Sequence, residues 1–228
     1  GATAGMVLAK KGMNVLVLER ETFPRDKLCA GLITLKTQEL ISDLVGQDLS
    51  KLQSRGIIEY QSTAYGLGNT QDLFYQGKME YPFYFVKRKI YDYFLFEKLK
   101  SSGARVLTGQ KVIGIDCVKS EVFTADGHRF KARFIVGADG AMSRVRNALS
   151  RLNVVQKPWL DGAALALECF IPRDEANFYD FPVIYFGYVP MGYIWSFPGR
   201  TAYCLGVCSG EIRDGRKLKK ILRDFGIK

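Results

Sequence analysis

The run from Gly1 to Arg20 constrains this chain more than any other stretch. GATAGMVLAKKG sets small residues first, then apolar positions at helical spacing, and stops at Gly12, a natural helix C-cap. NVLVLER (Asn14 to Arg20) follows as a continuous β-branched and aliphatic run with a charged exit, the pattern of a strand buried on both faces of a parallel sheet. Helix then strand is the middle of a dinucleotide-binding unit, which opens with a strand and a GxGxxG turn. Gly1 is therefore expected to be the last glycine of that turn, with the first strand lying ahead of these residues. Glu19 stands 18 positions after Gly1 at the strand's exit, where a carboxylate accepts hydrogen bonds from the ribose hydroxyls of an adenosine. A solvated strand-end charge is its plainer reading. The helix starting at Gly1 would aim its amides and dipole at a pyrophosphate.

The rest of the chain alternates between two patterns. Gly56 to Phe85 is rich in Tyr, Phe, Gly and Thr with partial alternation, which predicts antiparallel strands outside the nucleotide sheet. Lys87 to Ser102 is a helical pattern ended by Gly103, and short strands follow at Arg105–Leu107 and Val112–Cys117. Asp126-Gly127 marks a hairpin turn. Phe134 to Ala138 is expected to return to the nucleotide sheet, with Asp139-Gly140 as the turn and a short helix from Ser143. Aromatic-rich strands are expected from Trp159 to Cys208, and Arg213 to Lys228 reads as a basic amphipathic helix with Leu218, Ile221, Leu222 and Phe225 on one face. That face has two readings, packing under the second domain or touching a membrane. The expected class is α/β, and α+β overall. A Rossmann-like nucleotide domain lacking its first strand (1–55 and 86–150) is interleaved with an antiparallel-sheet substrate domain (56–85 and 151–228).

Charge and cysteine usage narrow the function classes. A formal charge of +10 draws phosphorylated ligands, anionic headgroups or nucleic acid, without choosing among them. The aromatics sit among aliphatics rather than between Lys and Arg, so nucleic acid is not expected. Five cysteines (Cys29, Cys117, Cys169, Cys204, Cys208) form no CxxC pair, which argues against a disulfide framework and for a reducing cytoplasm. With His128 as the one histidine, no metal site is expected. No apolar run approaches the roughly 18 residues a spanning helix needs, so any membrane contact would be peripheral, at the inner face.

Four segments carry a more specific message: PRDKLCAGL (Pro24 to Leu32), VKRKIYD (Val86 to Asp92), VGADGAMSRVR (Val136 to Arg146) and GYIWSFPG (Gly192 to Gly199). In this order the chain resembles the geranylgeranyl reductase family, flavoproteins related to the aromatic hydroxylases. GYIWSFPG is similar to that family's YxWxFP element, which lines a lipid-binding cavity. The resemblance covers essentially the whole chain and implies FAD as cofactor. It implies that Gly1 and Glu19 serve the pyrophosphate and adenosine ribose, and that Cys29, Ala30 and Leu32 pass beside the flavin through their backbone. It implies further that Arg88 meets the FAD phosphates, that the main chain of Val112 meets the adenine, and that Asp139 and Gly140 turn against the cofactor. Tyr193, Trp195, Phe197 and Pro198 would form the substrate wall, the three aromatics sharing one strand face. Plainer readings stand beside these: a surface arginine, an ordinary tight turn, and core packing for the aromatics. Cys29 is read either as a proton donor next to the reacting alkene or as a small buried filler, with proximity to the cofactor favoured over acid catalysis. Gly206 agrees with the family pattern, whereas Cys208 replaces a second glycine. The family's later GD-type segment, which grips the ribityl chain, is absent, so the chain is expected to be incomplete at both ends.

The resemblance implies an enzyme that reduces C=C bonds of a geranylgeranyl or other isoprenoid chain, using hydride from reduced FAD. Its expected partners are a prenyl lipid or prenyl diphosphate, and NAD(P)H or a reduced carrier protein as electron donor. A flavin monooxygenase or halogenase shares Glu19, Arg88 and the ADG turn but consumes oxygen. A third reading is a flavin-free fragment without activity.

Overall fold

The computed structural model describes residues 1–46, 49–155 and 162–226. The chain forms two compact units, Gly1–Asp26 with Asp92–Trp159, and Lys27–Tyr91 with Leu160–Lys228. Residues 27–55 and 86–91, grouped with the nucleotide domain on sequence, lie in the second unit. The reason is local pairing: a short strand β2 (Leu32–Ile33) sets Leu32 opposite Phe85, and Gln38 donates to the Pro82 carbonyl at 3.1 Å.

In the first unit, α1 (Ala2–Lys10) leads into β1 (Leu16–Leu18), which pairs in parallel with β5 (Arg105–Leu107), Leu16 opposite Arg105. Helix α4 (Arg88–Ser101) feeds β5 and buries Phe94 and Leu99. A three-stranded antiparallel meander follows: β6 (Val112–Asp116), β7 (Glu121–Thr124) and β8 (Arg129–Lys131), turning at Asp126-Gly127 as expected. Helix α5 (Arg144–Arg151) is capped by Ser143, whose hydroxyl accepts from the Arg146 amide at 3.0 Å.

Two strand expectations are corrected here. β1 is not buried on both faces, since Leu16 is 37% exposed and β5 is its one paired neighbour among the described residues. Phe134 to Ala138 joins no ladder, and Phe134 (75%) and Val136 (60%) are exposed. An apolar run reports what a strand would bury; only a paired neighbour buries it.

The second unit is built on a seven-stranded sheet in the order β2-β4-β3-β10-β11-β12-β9. Its strands are β3 (Ile58–Gly68), β4 (Leu73–Val86), β9 (Leu165–Pro172), β10 (Val183–Tyr185), β11 (Gly192–Pro198) and β12 (Ala202–Ser209). All neighbours are antiparallel except β3 and β10, which run parallel. Two helices without a sequence expectation, α2 (Leu35–Val45) and α3 (Leu49–Ser54), precede β3. Trp159, the expected start of the late strands, lies outside the described residues, as do the last two residues of the tail.

The two faces of this sheet have different fates. On one, Ile194, Leu205 and Val207 are fully buried beneath α6 (Gly215–Gly226), which contributes Leu218, Leu222 and Phe225. The apolar stripe of α6 is therefore spent on the core, and its exposed side carries Arg216, Lys217, Lys219, Lys220 and Arg223. The opposite face bears the alternate residues of β11 and β12, as strand periodicity requires.

Candidate functional site

The first unit gathers its candidate residues at the C-terminal ends of the parallel pair, where ligands of open α/β sheets bind. Gly1 caps α1 with no acidic residue in the first turn, and a Cβ there would lie 3.7 Å from Cβ of Ala138. The helix N-terminus and the Ala138-Asp139-Gly140 turn are thus neighbours, although the sequence separates them widely. Glu19 leaves β1 half-buried, hydrogen-bonded through its backbone to Leu107 and Gln110 at 2.9 Å each. One of its carboxylate oxygens accepts from the Glu21 amide at 3.0 Å. Val112 opens β6 opposite Thr124.

Asp139 has a partner set that the plain turn reading does not require. Its carboxylate accepts from the Ser143 hydroxyl and the Arg144 amide at 2.6 Å each, and from the Val145 amide at 3.4 Å. Burial alone would push this carboxyl up, but the hydroxyl and the amides outweigh it and hold it below the ordinary aspartate value. Asp139 therefore stays ionised while fixing the start of α5. With Gly140, Ser143 and Arg146 it lines a cleft of about 570 Å³, alongside Ile135 and Leu149. The first unit thus offers a helix start, a half-buried strand-end carboxylate and a cleft lined by the Asp139-Gly140 turn, groups of the kind that bind phosphates and ribose hydroxyls.

The second unit holds the other candidates. Tyr193, Trp195 and Phe197 share one face of β11, with ring centroids 6.1 Å and 6.4 Å apart in succession. Phe85 meets Phe197 edge-on at 5.6 Å, and Ala30, Leu32 and Cys208 pack against the same group. Trp195 and Phe197 are buried in this cluster, while Tyr193 is 37% exposed; Pro198, fully buried, alternates onto the other face of β11 with Ile194 and does not join the aromatics. Arg173 pins the following turn by donating to the Gly199 carbonyl at 2.9 Å, its guanidinium lying over the Tyr203 ring.

Cys29, exposed, sits on the loop entering β2, and the loop's course depends on Gly31. Gly31 has φ +74°, and a Cβ there would overlap the carbonyl oxygen of Val86, so no side chain fits without moving backbone. Gly31→Ala is expected to displace Cys29 and Ala30 and to destabilise the unit by about 1–3 kcal/mol. Urea unfolding together with the rate of Cys29 alkylation measures both; unchanged values in both would show the loop to be tolerant. A related fixture joins two of the quoted segments inside the first unit, where Arg25 pairs with Asp92 at 3.0 Å.

One residue missed on sequence belongs to this group. Glu168 of β9 stands opposite Gly206 of β12, which in turn stands opposite Trp195 of β11. Its carboxyl lies 3.8 Å from Sγ of Cys204. Burial pushes that carboxyl up, against the Cys29 amide, the Cys204 thiol and Arg88, which draw it down without prevailing. Arg88 thus lies within electrostatic reach of Glu168. Cys204 itself is pushed up to about 12, by burial first and by Glu168 next, and is inert as a thiolate. In LALECFIP a single Glu reads as a solvent-facing strand position; its neighbours become visible only through the β9–β12 register.

Comparison with known proteins settles the family. The sequence profile of the FAD binding domain family matches residues 1–159. This chain belongs to that family. It is 31% identical to an uncharacterized protein of Methanosarcina barkeri, over 97% of this chain and 53% of the relative. Among solved structures, a geranylgeranyl bacteriochlorophyll reductase-like protein from Thermoplasma acidophilum superposes with a TM-score of 0.80 at 19% identity, over 99% of this chain and 57% of that one. A halogenase crystallised with phloroglucinol and FAD gives 0.74 at 17% identity, over 99% and 53%. The chain spans about half the length of each. The expected FAD-dependent oxidoreductase fold is therefore present, while reductase and halogenase neighbours share it alike. No helix among the described residues is long and apolar enough to cross a membrane.

Proposed function

We propose that the protein containing this chain is an FAD-dependent reductase of C=C bonds in an isoprenoid chain. The observation that carries this reading is the aromatic face of β11, which shares its cluster with Ala30, from the loop carrying Cys29, and with Leu32 of β2. An unactivated alkene offers no charge to grip, so catalysis rests on holding it in a dry apolar setting against the hydride donor. FAD, when bound, supplies the hydride chemistry. Gly1, Glu19, Val112, Asp139 and Gly140 would hold its adenosine half. Arg88 would serve its phosphates, and the backbone of Cys29, Ala30 and Leu32 would border the flavin. Tyr193, Trp195 and Phe197 would orient the prenyl chain and exclude water. Anionic headgroups of the bilayer, not the substrate's own phosphate, would meet the basic outer side of α6, which lies on the sheet face opposite the aromatic wall, with the enzyme peripheral at the inner membrane face. NAD(P)H or a reduced carrier would restore the flavin.

Mass spectrometry of products formed by the flavin-loaded full-length protein from a geranylgeranyl lipid, with chemically reduced FAD, tests this reading. Gain of hydrogen pairs in the absence of air is the expected result. Insertion of oxygen, or turnover that requires oxygen, would overturn it in favour of a monooxygenase.

A further inference from the structure

We infer that Glu168 is the proton donor of the site, the acid that completes C=C reduction once hydride has been delivered; this rests on the reductase reading above. Strand register aligns Trp195, Gly206 and Glu168 in one row across β11, β12 and β9, with Phe197, Cys204 and Phe170 in the next row. Because Gly206 has no side chain, the β12 group that meets both the indole and the carboxyl is the Cys204 thiol of the next row. A Cβ at Gly206 would overlap the Trp195 ring, so the ring lies flat over that position and borders the carboxyl's surroundings. The row opens toward Ala166 and Phe170, both exposed.

Every group around Glu168 bears on whether it holds a proton. On its own strand the neighbour is Cys169, a thiol raised by burial and then by Glu168 itself. From β12 comes the Cys204 thiol, which donates to Oε2 at 3.8 Å, and from β11 the Trp195 indole, which lies beside that same thiol. The loop before β2 brings the Cys29 amide, and α4 brings Arg88, the one cation of the set. Oε1 is buried and accepts no hydrogen bond of good geometry. Burial favours the acid and outweighs the Cys29 amide, the Cys204 thiol and Arg88, so the net direction for this carboxyl is upward. Cys204 cannot replace it, because its thiol is raised to about 12 and is too weak an acid to give up a proton in turnover.

The balance of the step is simple. Hydride from the reduced flavin brings an electron pair and forms one C–H bond. The π pair of the alkene takes the proton of Glu168 and forms the other. The flavin is oxidised by two electrons, the alkene is reduced by two, and the carboxylate left behind is reprotonated by water.

Two measurements test this on the flavin-loaded full-length protein and on Glu168→Gln, with Glu168→Asp as the conservative control. The first is infrared difference spectroscopy across a pH titration without substrate. Wild type is expected to show a protonated carboxyl titrating above the ordinary glutamate range, and Glu168→Gln is expected to lack it. The same band in the Gln variant would overturn the assignment. The second is the pH profile of alkane formation. Wild-type activity should be present at low pH and lost as pH rises through the Glu168 pKa, because only the acid donates. Glu168→Gln should fall by about 10²-fold or more, the span of general acid catalysis, without that alkaline limb, and Glu168→Asp should restore the limb. Equal rates and equal profiles in wild type and Glu168→Gln would overturn the proposal while leaving the reductase reading intact. Absence of alkene reduction in wild type would instead sink the reductase reading, and with it the donor role.

Discussion

Leu218→Ala in α6 is expected to lower the stability of the second unit by about 2–5 kcal/mol, the range for emptying a buried leucine site. Leu218 is fully buried, and it meets a floor of Ile194, Leu205 and Val207 whose exposures are all 0%. These floor residues stand on two antiparallel strands held in register from Gly192–Ser209 to Pro198–Tyr203, so the backbone cannot collapse into the space left behind. A cavity that fails to collapse puts the loss at the upper end of that range. Urea unfolding is the measurement, and the midpoint should fall while the slope stays unchanged. Stability equal to wild type would mean that α6 does not pack as described, leaving its apolar stripe available to a membrane. Lys220→Ala, on the exposed side of the same helix, is the control and should change stability by less than about 0.5 kcal/mol.

That contrast shows where the sequence was a sufficient guide. Leu218, Ile221, Leu222 and Phe225 recur at helical spacing, so the helix and its buried face were legible without any partner being known. The same holds for α4 and for the Asp126-Gly127 hairpin, each of which is dictated by residues close in sequence. Legibility failed where the answer depended on a distant neighbour. NVLVLER is apolar enough to be buried twice, but Leu16 has a paired strand on one side only among the described residues. Phe134 to Ala138 carries a strand composition without a ladder, because composition says nothing of what pairs with it. In the site, Asp139-Gly140 was visible as a turn, yet its tie to α5 through Ser143 and two amides depends on backbone course. Glu168 was invisible for the same reason. Its meaning comes from Gly206 and Cys204, which lie on another strand and reach it only through register.

Gly206→Ala is the second large expected effect, and it bears directly on the aromatic wall. A methyl group at Gly206 would overlap the six-membered ring of Trp195, so either the indole leaves its place or β12 shifts from β11. β12 is paired on both sides, with β11 from Gly192 to Pro198 and with β9 from Leu165 to Pro172, which makes the indole the cheaper group to move. Its displacement should cost about 1–3 kcal/mol as an overpacked core, and it should expose a ring that is now 8% accessible. Tryptophan fluorescence is then expected to shift to the red and to become quenchable by iodide. The chain has two tryptophans, so Trp159→Phe serves as the background in which this is read. Displacing the indole also uncouples the row from Trp195 to Glu168, so the carboxyl titration should move toward the ordinary glutamate range as water reaches it. A variant with unchanged emission and unchanged carboxyl titration would mean that β12 yields instead of the ring, and that the flat packing of Trp195 on Gly206 is not what shapes this face.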